Sequence, residues 1–380
     1  MGMLRRPYGP WLRTAVSATV ALSLLFLAWG GSSLARTPAR HATSGTGAGW
    51  TVHLPAGTFT LNARIANKVA KKQTLNAIVS FQALGVPFAA PELTSGMKNV
   101  YGYVKRNYGV TVSSKVVGPT QTDPNAQISQ MRTLIASGQV DCLGIEPVNP
   151  QGFASIFAEA WKAGVPVFSV NTDAPRAKRI SYYGLNEEAG GRVAGRYTVK
   201  FLRNHGVTKL KAAHMETGDT TAPWAQGRMR GWSAAIRSAF PGVSIDDTPT
   251  SAPSDNYVAT TEYSNTKAYL LGHPNTQFIF HTDWGGEQIA KVLKDLNLLG
   301  KVYSLGYNVD DGILNEIQSQ QLIGTVDQRY DLQSGGFLKG CADFLYAHKI
   351  PNFNSFVTPF VVTPQNVKAY RKLFHKLIHP

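Results

Sequence analysis

The chain has 380 residues, enough for roughly two domains that each bury a core. At 43% hydrophobic and 10% aromatic it has the composition of a globular protein, which excludes a disordered or fibrous chain. The formal charge is +15, yet the basic residues are dispersed rather than gathered into a run interleaved with aromatics, so no nucleic-acid partner is expected.

In chain order, Arg5, Arg6 and Arg13 come before the apolar segment Ala15 to Trp29, and Ser33-Leu34-Ala35 supplies small residues for cleavage. This is the layout of a secretory signal over residues 1–35, and the apolar run falls short of the roughly 20 residues a spanning helix needs. An exported, periplasmic or cell-surface location is expected. No cysteine directly follows the run, so a bacterial lipid anchor is not expected. Few carboxylates also suit an acidic exterior, where carboxylates are protonated and their salt bridges lost. Arg36 to Gly49, rich in Gly, Ser, Thr and Ala, reads as a flexible leader, and 61–73 as a short basic helix.

From Leu75 onward, strand and helix patterns alternate. Strands are expected at 76–81, 111–117, 140–146, 165–170, 180–183, 209–214, 243–247, 277–281, 301–307, 322–326 and 356–362. Helices are expected at 91–107, 124–137, 151–163, 187–204, 225–239, 255–272, 284–297 and 332–348, and the basic tail from Val367 reads as a surface helix. This alternation predicts an α/β protein of parallel sheets covered on both faces, and so many strands exceed one core. Two doubly wound lobes are therefore expected. A closed eight-fold barrel is the competing architecture, opposed by strand ends that fall into two sets around residue 185.

Local chemistry supports several of these elements. Thr122-Asp123-Pro124 supplies a cap followed by proline at the first helical position. Glu187 and Glu188 open the next lobe's first helix, where they answer its dipole. Gly190, Gly191 and Gly195 on that helix permit close approach to a strand, but no glycine-rich turn precedes them to make a dinucleotide fingerprint. Cys142 and Cys341 fall in an expected strand and an expected helix. Buried free thiols are the first reading, with a disulfide left open by export.

The main enzymatic signatures are missing from the sequence: there is no phosphate loop, no Gly-x-Ser-x-Gly elbow and no His-Glu-x-x-His. His375 and His379 lack a third ligand, Asp295-Leu296-Asn297 is broken as a calcium loop by Leu298 and Leu299, and Asp246-Asp247 and Asp310-Asp311 read as turns or helix starts. No catalytic residue, metal or cofactor is expected. What stands out is a set of polar and aromatic residues just past apolar strands. Asn171 and Asp173 follow Val165 to Val170, and Asp283-Trp284, Asn308 and Gln328 occupy matching places after later strands. The loop Thr221 to Arg228, with Trp224, opens a helix. Open parallel sheets bind ligands outside the carboxyl ends of their strands. Planar carboxylate, carboxamide and guanidinium groups each grip two neighbouring hydroxyls, and aromatic rings cover the C–H faces of a sugar. For Asn171 and Asp173 an Asx turn closed by Pro175 is the plainer alternative.

The same residues carry a family likeness. Ala163-Gly164-Val165-Pro166-Val167 with Asn171, Gly190 to Gly195, Gly227 to Trp232, Phe280 to Asp283, Leu305 to Asn308 and Gly324 to Gln328 occur in order. From about Leu75 to Gln365 the chain resembles the type I periplasmic binding proteins, in their ribose- and galactose-binding branch. The resemblance implies two lobes joined by three crossings, 75–185 with 329–358 and 186–328 with 359–380, following a leader over 36–74. It implies a sugar or polyol held between the lobes, a monomeric protein of an uptake system, and a membrane permease of an ABC transporter as partner. A sensory module for a membrane kinase or chemoreceptor is the alternative. A lactose-repressor-like regulator would need a DNA-binding motif where this chain has its signal segment. By the same resemblance Phe88 packs on the sugar, Asn171 and Arg228 bind it, Tyr257 forms a wall, and Gln328 lies near a crossing. Asp283 and Asn308 stand where the family usually has asparagine and often has aspartate, respectively, and Ala89 replaces a second aromatic.

Overall fold

The computed structural model describes residues 50–246 and 254–379. The expected signal 1–35, the stretch 36–49 read as a leader, and Asp247 lie outside the described residues. A hairpin of β1 (Thr51–Leu54) and β2 (Gly57–Thr60) leads to α1 (Ala63–Ala70). The first lobe continues with β3 (Leu75–Ser80), α2 (Ala89–Tyr108), β4 (Val112–Val117), α3 (Pro124–Ala136), β5 (Cys142–Ile145), α4 (Ala154–Lys162), β6 (Val167–Asn171) and β7 (Tyr182–Gly184). The second lobe runs through α5 (Glu187–Asn204), β8 (Ala212–Glu216), α6 (Pro223–Ala239), β9 (Ser244–Asp246), α7 (Ala259–Gly272), β10 (Thr276–His281), α8 (Gly286–Asp295), β11 (Tyr303–Tyr307), α9 (Asp311–Gln318) and β12 (Gly324–Asp327). The chain then returns to the first sheet through α10 (Tyr330–Ala347) and β13 (Asn354–Phe356) and ends with β14 (Phe360–Val362) and α11 (Val367–Ile378).

One sheet has the order β4-β3-β5-β6-β7-β13, with every pair parallel. The other is β9-β8-β10-β11-β12-β14, parallel except for the antiparallel pair β12 and β14. Three connections cross between the sheets: β7 to α5, β12 to α10, and β13 to β14. Every residue of β5 and β6 is buried, because helices cover both faces of a parallel sheet.

Several expectations need correction. The strand expected at 356–362 is two short strands, one in each sheet. Pro359 lies between them, has no N–H to give a ladder, and marks the point where the chain changes lobes. Only part of the stretch 36–74 can be a leader, because Trp50, Val52, Leu54, Phe59, Leu61 and Ile65 are buried in the first lobe's core. The Phe59 ring lies 5.0 Å from Trp161 and 5.9 Å from Phe344. Basic helix α1 is held by Arg64 and Lys68, at 2.6 and 2.5 Å from the buried Asp141 carboxylate.

The glycines of α5 approach a helix rather than a strand. A Cβ on Gly191 would stand 2.2 Å from the Arg228 carbonyl, and one on Gly195 2.6 Å from the Ala235 methyl, so α5 and α6 pack backbone to backbone. Cys142 and Cys341 are not free thiols: they form a disulfide from β5 to α10, with Cα atoms 6.4 Å apart. The bond closes a loop that contains β8 to β12 of the second sheet and leaves β14 outside it. Basic helix α11 is not confined to one lobe either, as it packs against both α2 and α9.

Candidate functional site

The carboxyl ends of β6, β10, β11 and β12 converge, and with them the polar residues that follow. Asn171 and Asn308 both sit at strand ends with φ near +60°, a left-handed conformation asparagine tolerates better than most residues. Asn171 Nδ2 donates to Gln328 Oε1 and to Gln333 Oε1, each at 3.1 Å. Gln328, at the second crossing, donates from Nε2 to Asn308 Oδ1 at 2.6 Å. Asn308 Nδ2 in turn donates to Asp283 Oδ1 at 2.5 Å. One hydrogen-bonded chain therefore runs from the first lobe through the crossing into the second.

Arg228 joins this chain from α6. It is 2% exposed; Nε donates to Glu187 Oε2 at 2.7 Å, Nη1 to the Thr282 carbonyl at 2.8 Å, and Nη2 to Gln328 Oε1 at 2.7 Å. Its guanidinium carbon lies 4.3 Å from the Tyr307 ring centroid and 4.9 Å from that of Trp224. Burial works against the charge, but Glu187 beside it holds the Arg228 pKa above its ordinary value. Glu187 thus does more than answer a helix dipole: it is the counter-ion of the buried arginine.

The remaining expected residues divide. Phe88 is buried, with its ring 5.9 Å edge-on from Trp284 of the second lobe and 6.1 Å from Tyr330, so it closes the cleft between the lobes. Tyr257 is partly exposed, with its ring lying over Gly218, where a Cβ would come within 2.3 Å of it. Burial and the charges of Asp283, Asp219, Asp255 and Glu146 push its hydroxyl pKa up. A cavity of about 50 Å³ lined by Tyr257, Glu262, Trp284 and Gly285 opens beside it. Larger grooves of about 380 and 630 Å³ lie along α6 and between α5 and α6, lined largely by residues outside this network. Asp173 does not join the network: it accepts from Arg179 Nη2 at 2.8 Å, and Arg179 also bonds the Phe353 carbonyl and Asn354. Its place is in the turn that ties β6 to the edge strand β13.

Sequence reasoning missed Glu146, Tyr307, Tyr330 and Gln333. Glu146 was within reach, since it follows β5 just as Asn171 ends β6. It is 1% exposed; Oε2 accepts from the Gln82 backbone N–H at 3.2 Å, and Oε1 has no partner. Burial pushes its pKa up to about 8, the Gln82 bond opposes this, the charge of Asp283 adds to it and Arg228 opposes it. Burial likewise pushes Asp283 up to about 6, against the pull of Arg228 and His281.

Next to Asp283, buried Glu216, Glu262 and His281 bring ligand-type atoms within 4.8 Å of one another. The Asp283 backbone N lies 3.1 Å from His281 Nδ1, and Nε2 faces Asp255 at 3.0 Å; against burial, Glu262 and Asp255 hold the His281 pKa up to about 10. A metal on Nε2 would require a proton on Nδ1, against that N–H donor. The cluster fits a proton-bridged network.

A profile of the periplasmic binding protein domain matches residues 96–338, more than half of the chain. The chain belongs to the periplasmic binding protein family. The xylose/arabinose-binding protein XylF of Sulfolobus acidocaldarius is 24% identical over 245 residues, 60% of this chain and 57% of XylF. The aligned part thus spans less than two thirds of that relative. Among solved structures, the fold matches GanP, a glucose-galactose binding protein from Geobacillus stearothermophilus, at a TM-score of 0.65 and 20% identity, covering 77% of this chain and 98% of GanP. It matches an ABC transporter solute-binding protein from Burkholderia graminis in complex with D-arabinose at 0.67 and 22% identity, covering 78% of this chain and 97% of that one. The two-lobed fold of parallel sheets is that of the type I proteins. No described helix is long and apolar enough to cross a membrane.

Proposed function

We propose that this chain is an extracytoplasmic solute-binding protein that captures a monosaccharide or similar polyol between its lobes and delivers it to the permease of an ABC transporter. One observation carries this reading: the network through Asn171, Gln328, Asn308, Asp283 and Arg228 sits at facing strand ends, walled by Phe88, Trp224, Tyr257, Trp284 and Tyr307. Carboxamide, carboxylate and guanidinium groups grip adjacent hydroxyls, and the aromatic walls accept the apolar faces of a sugar ring. The relatives named for pentoses and hexoses support the same ligand class. The site arrangement supports capture without chemistry, since its polar groups are tied to one another rather than set as nucleophile and base. Ligand bound to one lobe would favour closure through contacts only the closed form offers.

A thermal-shift screen of the chain without residues 1–35 against monosaccharides, polyols and nucleosides tests the reading. A ligand at 100 times its dissociation constant adds about 2.7 kcal/mol, so a rise of several degrees with a monosaccharide or polyol is expected. A panel without any such rise contradicts it.

A further inference from the structure

We infer that the groove between α5 and α6 is a docking surface for an acidic, extended segment of a partner protein, separate from the sugar cleft and independent of what that cleft binds. Basic residues scattered along the sequence are gathered here by the helix period. Arg192, Arg196, Lys200 and Arg203 recur at every third or fourth position of α5, are all exposed, and line one groove of about 630 Å³. The glycine contacts bring the two helix backbones together, and α6 adds only the small side chains of Ala234, Ala235, Ser238 and Ala239, so the space above the contact stays open. After Glu188 neither helix carries an acid. Glu188 pairs with Arg192 and, at 3.6 Å, with Arg230. Arg203 donates to the Ala239 carbonyl at 3.5 Å and lies over the Phe240 ring. Arg196 and Lys200 have no acidic partner among the described residues.

The spacing and shape of the row select the occupant. Side chains four apart on a helix rise by about 6 Å, and alternate side chains of an extended chain repeat at about 6.7 Å. Carboxylates at every second position of an extended segment therefore keep step with Arg192, Arg196 and Lys200. The row from Arg192 to Arg203 spans about 16 Å, the length of about five residues of such a segment. Each guanidinium grips a carboxylate with two parallel donors. A single exposed pair holds little, so only a segment that engages several cations at once is retained. No aromatic ring lines the groove for bases to stack on, and a flat lipid surface would leave a concave site unfilled. The same two helices meet the sugar network through Glu187 and Arg228, neither of which lines the groove.

The test is fluorescence anisotropy of the full chain, at about 0.1 M salt, with the labelled peptide Glu-Ser-Glu-Ser-Glu-Ser-Glu. Its comparators are Glu-Glu-Glu-Glu-Ser-Ser-Ser, of equal charge, and Gln-Ser-Gln-Ser-Gln-Ser-Gln. The alternating acid is expected to bind at least about tenfold more tightly than the Gln peptide and about threefold more tightly than the blocked one. In Arg196→Glu with Lys200→Glu its affinity should fall about tenfold or more. Lys98→Glu with Lys105→Glu makes the same charge change at exposed positions of α2 in the first lobe and should alter it less than about threefold. Both double variants should melt cooperatively, as the wild type does. Equal losses in the two would mean that overall positive charge holds the peptide, and would overturn the assignment, as would a blocked peptide that binds as tightly as the alternating one. Phosphatidylglycerol vesicles and oligothymidylate run alongside. If either binds more tightly than the peptide and loses that binding in Arg196→Glu with Lys200→Glu, the groove serves lipid or nucleic acid and the assignment falls.

Discussion

The two walls of the cleft satisfy buried charge differently. On the second lobe, Arg228 spends its donors on Glu187, the Thr282 carbonyl and Gln328, so its position is set before any ligand arrives. On the first lobe, Glu146 is as deeply buried yet holds one backbone bond and an idle oxygen. The matched arginine serves as a charged anchor, whereas burial pushes the Glu146 pKa up to about 8, so its idle oxygen belongs to a carboxyl that stays protonated at neutral pH. Family membership alone does not reveal this asymmetry; it appears only when each wall's donors and acceptors are traced.

Four changes break or sharpen that comparison. The largest acts on the first lobe as a whole: Cys142→Ser with Cys341→Ser removes a cross-link spanning 199 residues, and loop entropy assigns it about 5 kcal/mol. Denaturant unfolding of the oxidised protein and the double variant should show a midpoint shift of that order; coincident curves would mean the bond does not form in solution. Arg228→Ala takes the counter-ion from Glu187 and should cost about 3 to 5 kcal/mol of stability as well as ligand binding. Arg228→Lys should recover part of each, because one ammonium replaces a three-way fork. Gly191→Ala pushes the α6 backbone at Arg228 and should cost about 1 to 3 kcal/mol, with weaker binding at a distance from any ligand contact. A neutral result would show that α5 and α6 can part without moving the arginine.

The fourth change acts on pH dependence. Glu146 and Asp283 have folded pKa values of about 8 and 6, above their ordinary values of 4.5 and 3.8. A raised carboxyl binds its proton more tightly when folded, so its contribution is full below the unfolded pKa and is lost as pH rises through the folded one. Melting temperature without ligand should therefore decline between about pH 5 and pH 8, and less so in Glu146→Gln, which has no carboxyl to ionise in that range. Equal slopes would place Glu146 in contact with water. The same sign is compatible with an acidic working environment.

Much of this architecture was legible in the chain. Apolar runs such as Val165 to Val170 lack alternation because both faces are covered, and the polar residue ending each run marks the cleft. This singles out Asn171, Asp283, Asn308 and Gln328 as cleft candidates, to which the loop opening α6 adds Arg228; that they form one hydrogen-bonded network appears only in the structure. Glu146 escaped because it falls inside the expected strand 140–146, and nothing local shows that its second oxygen goes unmatched. The hairpin β1 and β2 escaped because four-residue strands fall below the length at which alternation is informative, and its burial depends on Trp161 and Phe344, far along the chain. Asp173 lay beside the right residue, but Arg179, six positions on, takes it for the turn. The disulfide joins positions no local pattern connects.

The most direct measurement of the central claim is a calorimetric titration of the wild-type chain and Arg228→Ala, side by side, with the sugar or polyol that raises the melting temperature most. The account predicts one site per chain in the wild type and a loss of at least about thirtyfold in affinity in the variant, since bonds to a charged donor are worth roughly 2 to 4 kcal/mol together. Equal affinity in the two proteins, with both folded, would contradict it.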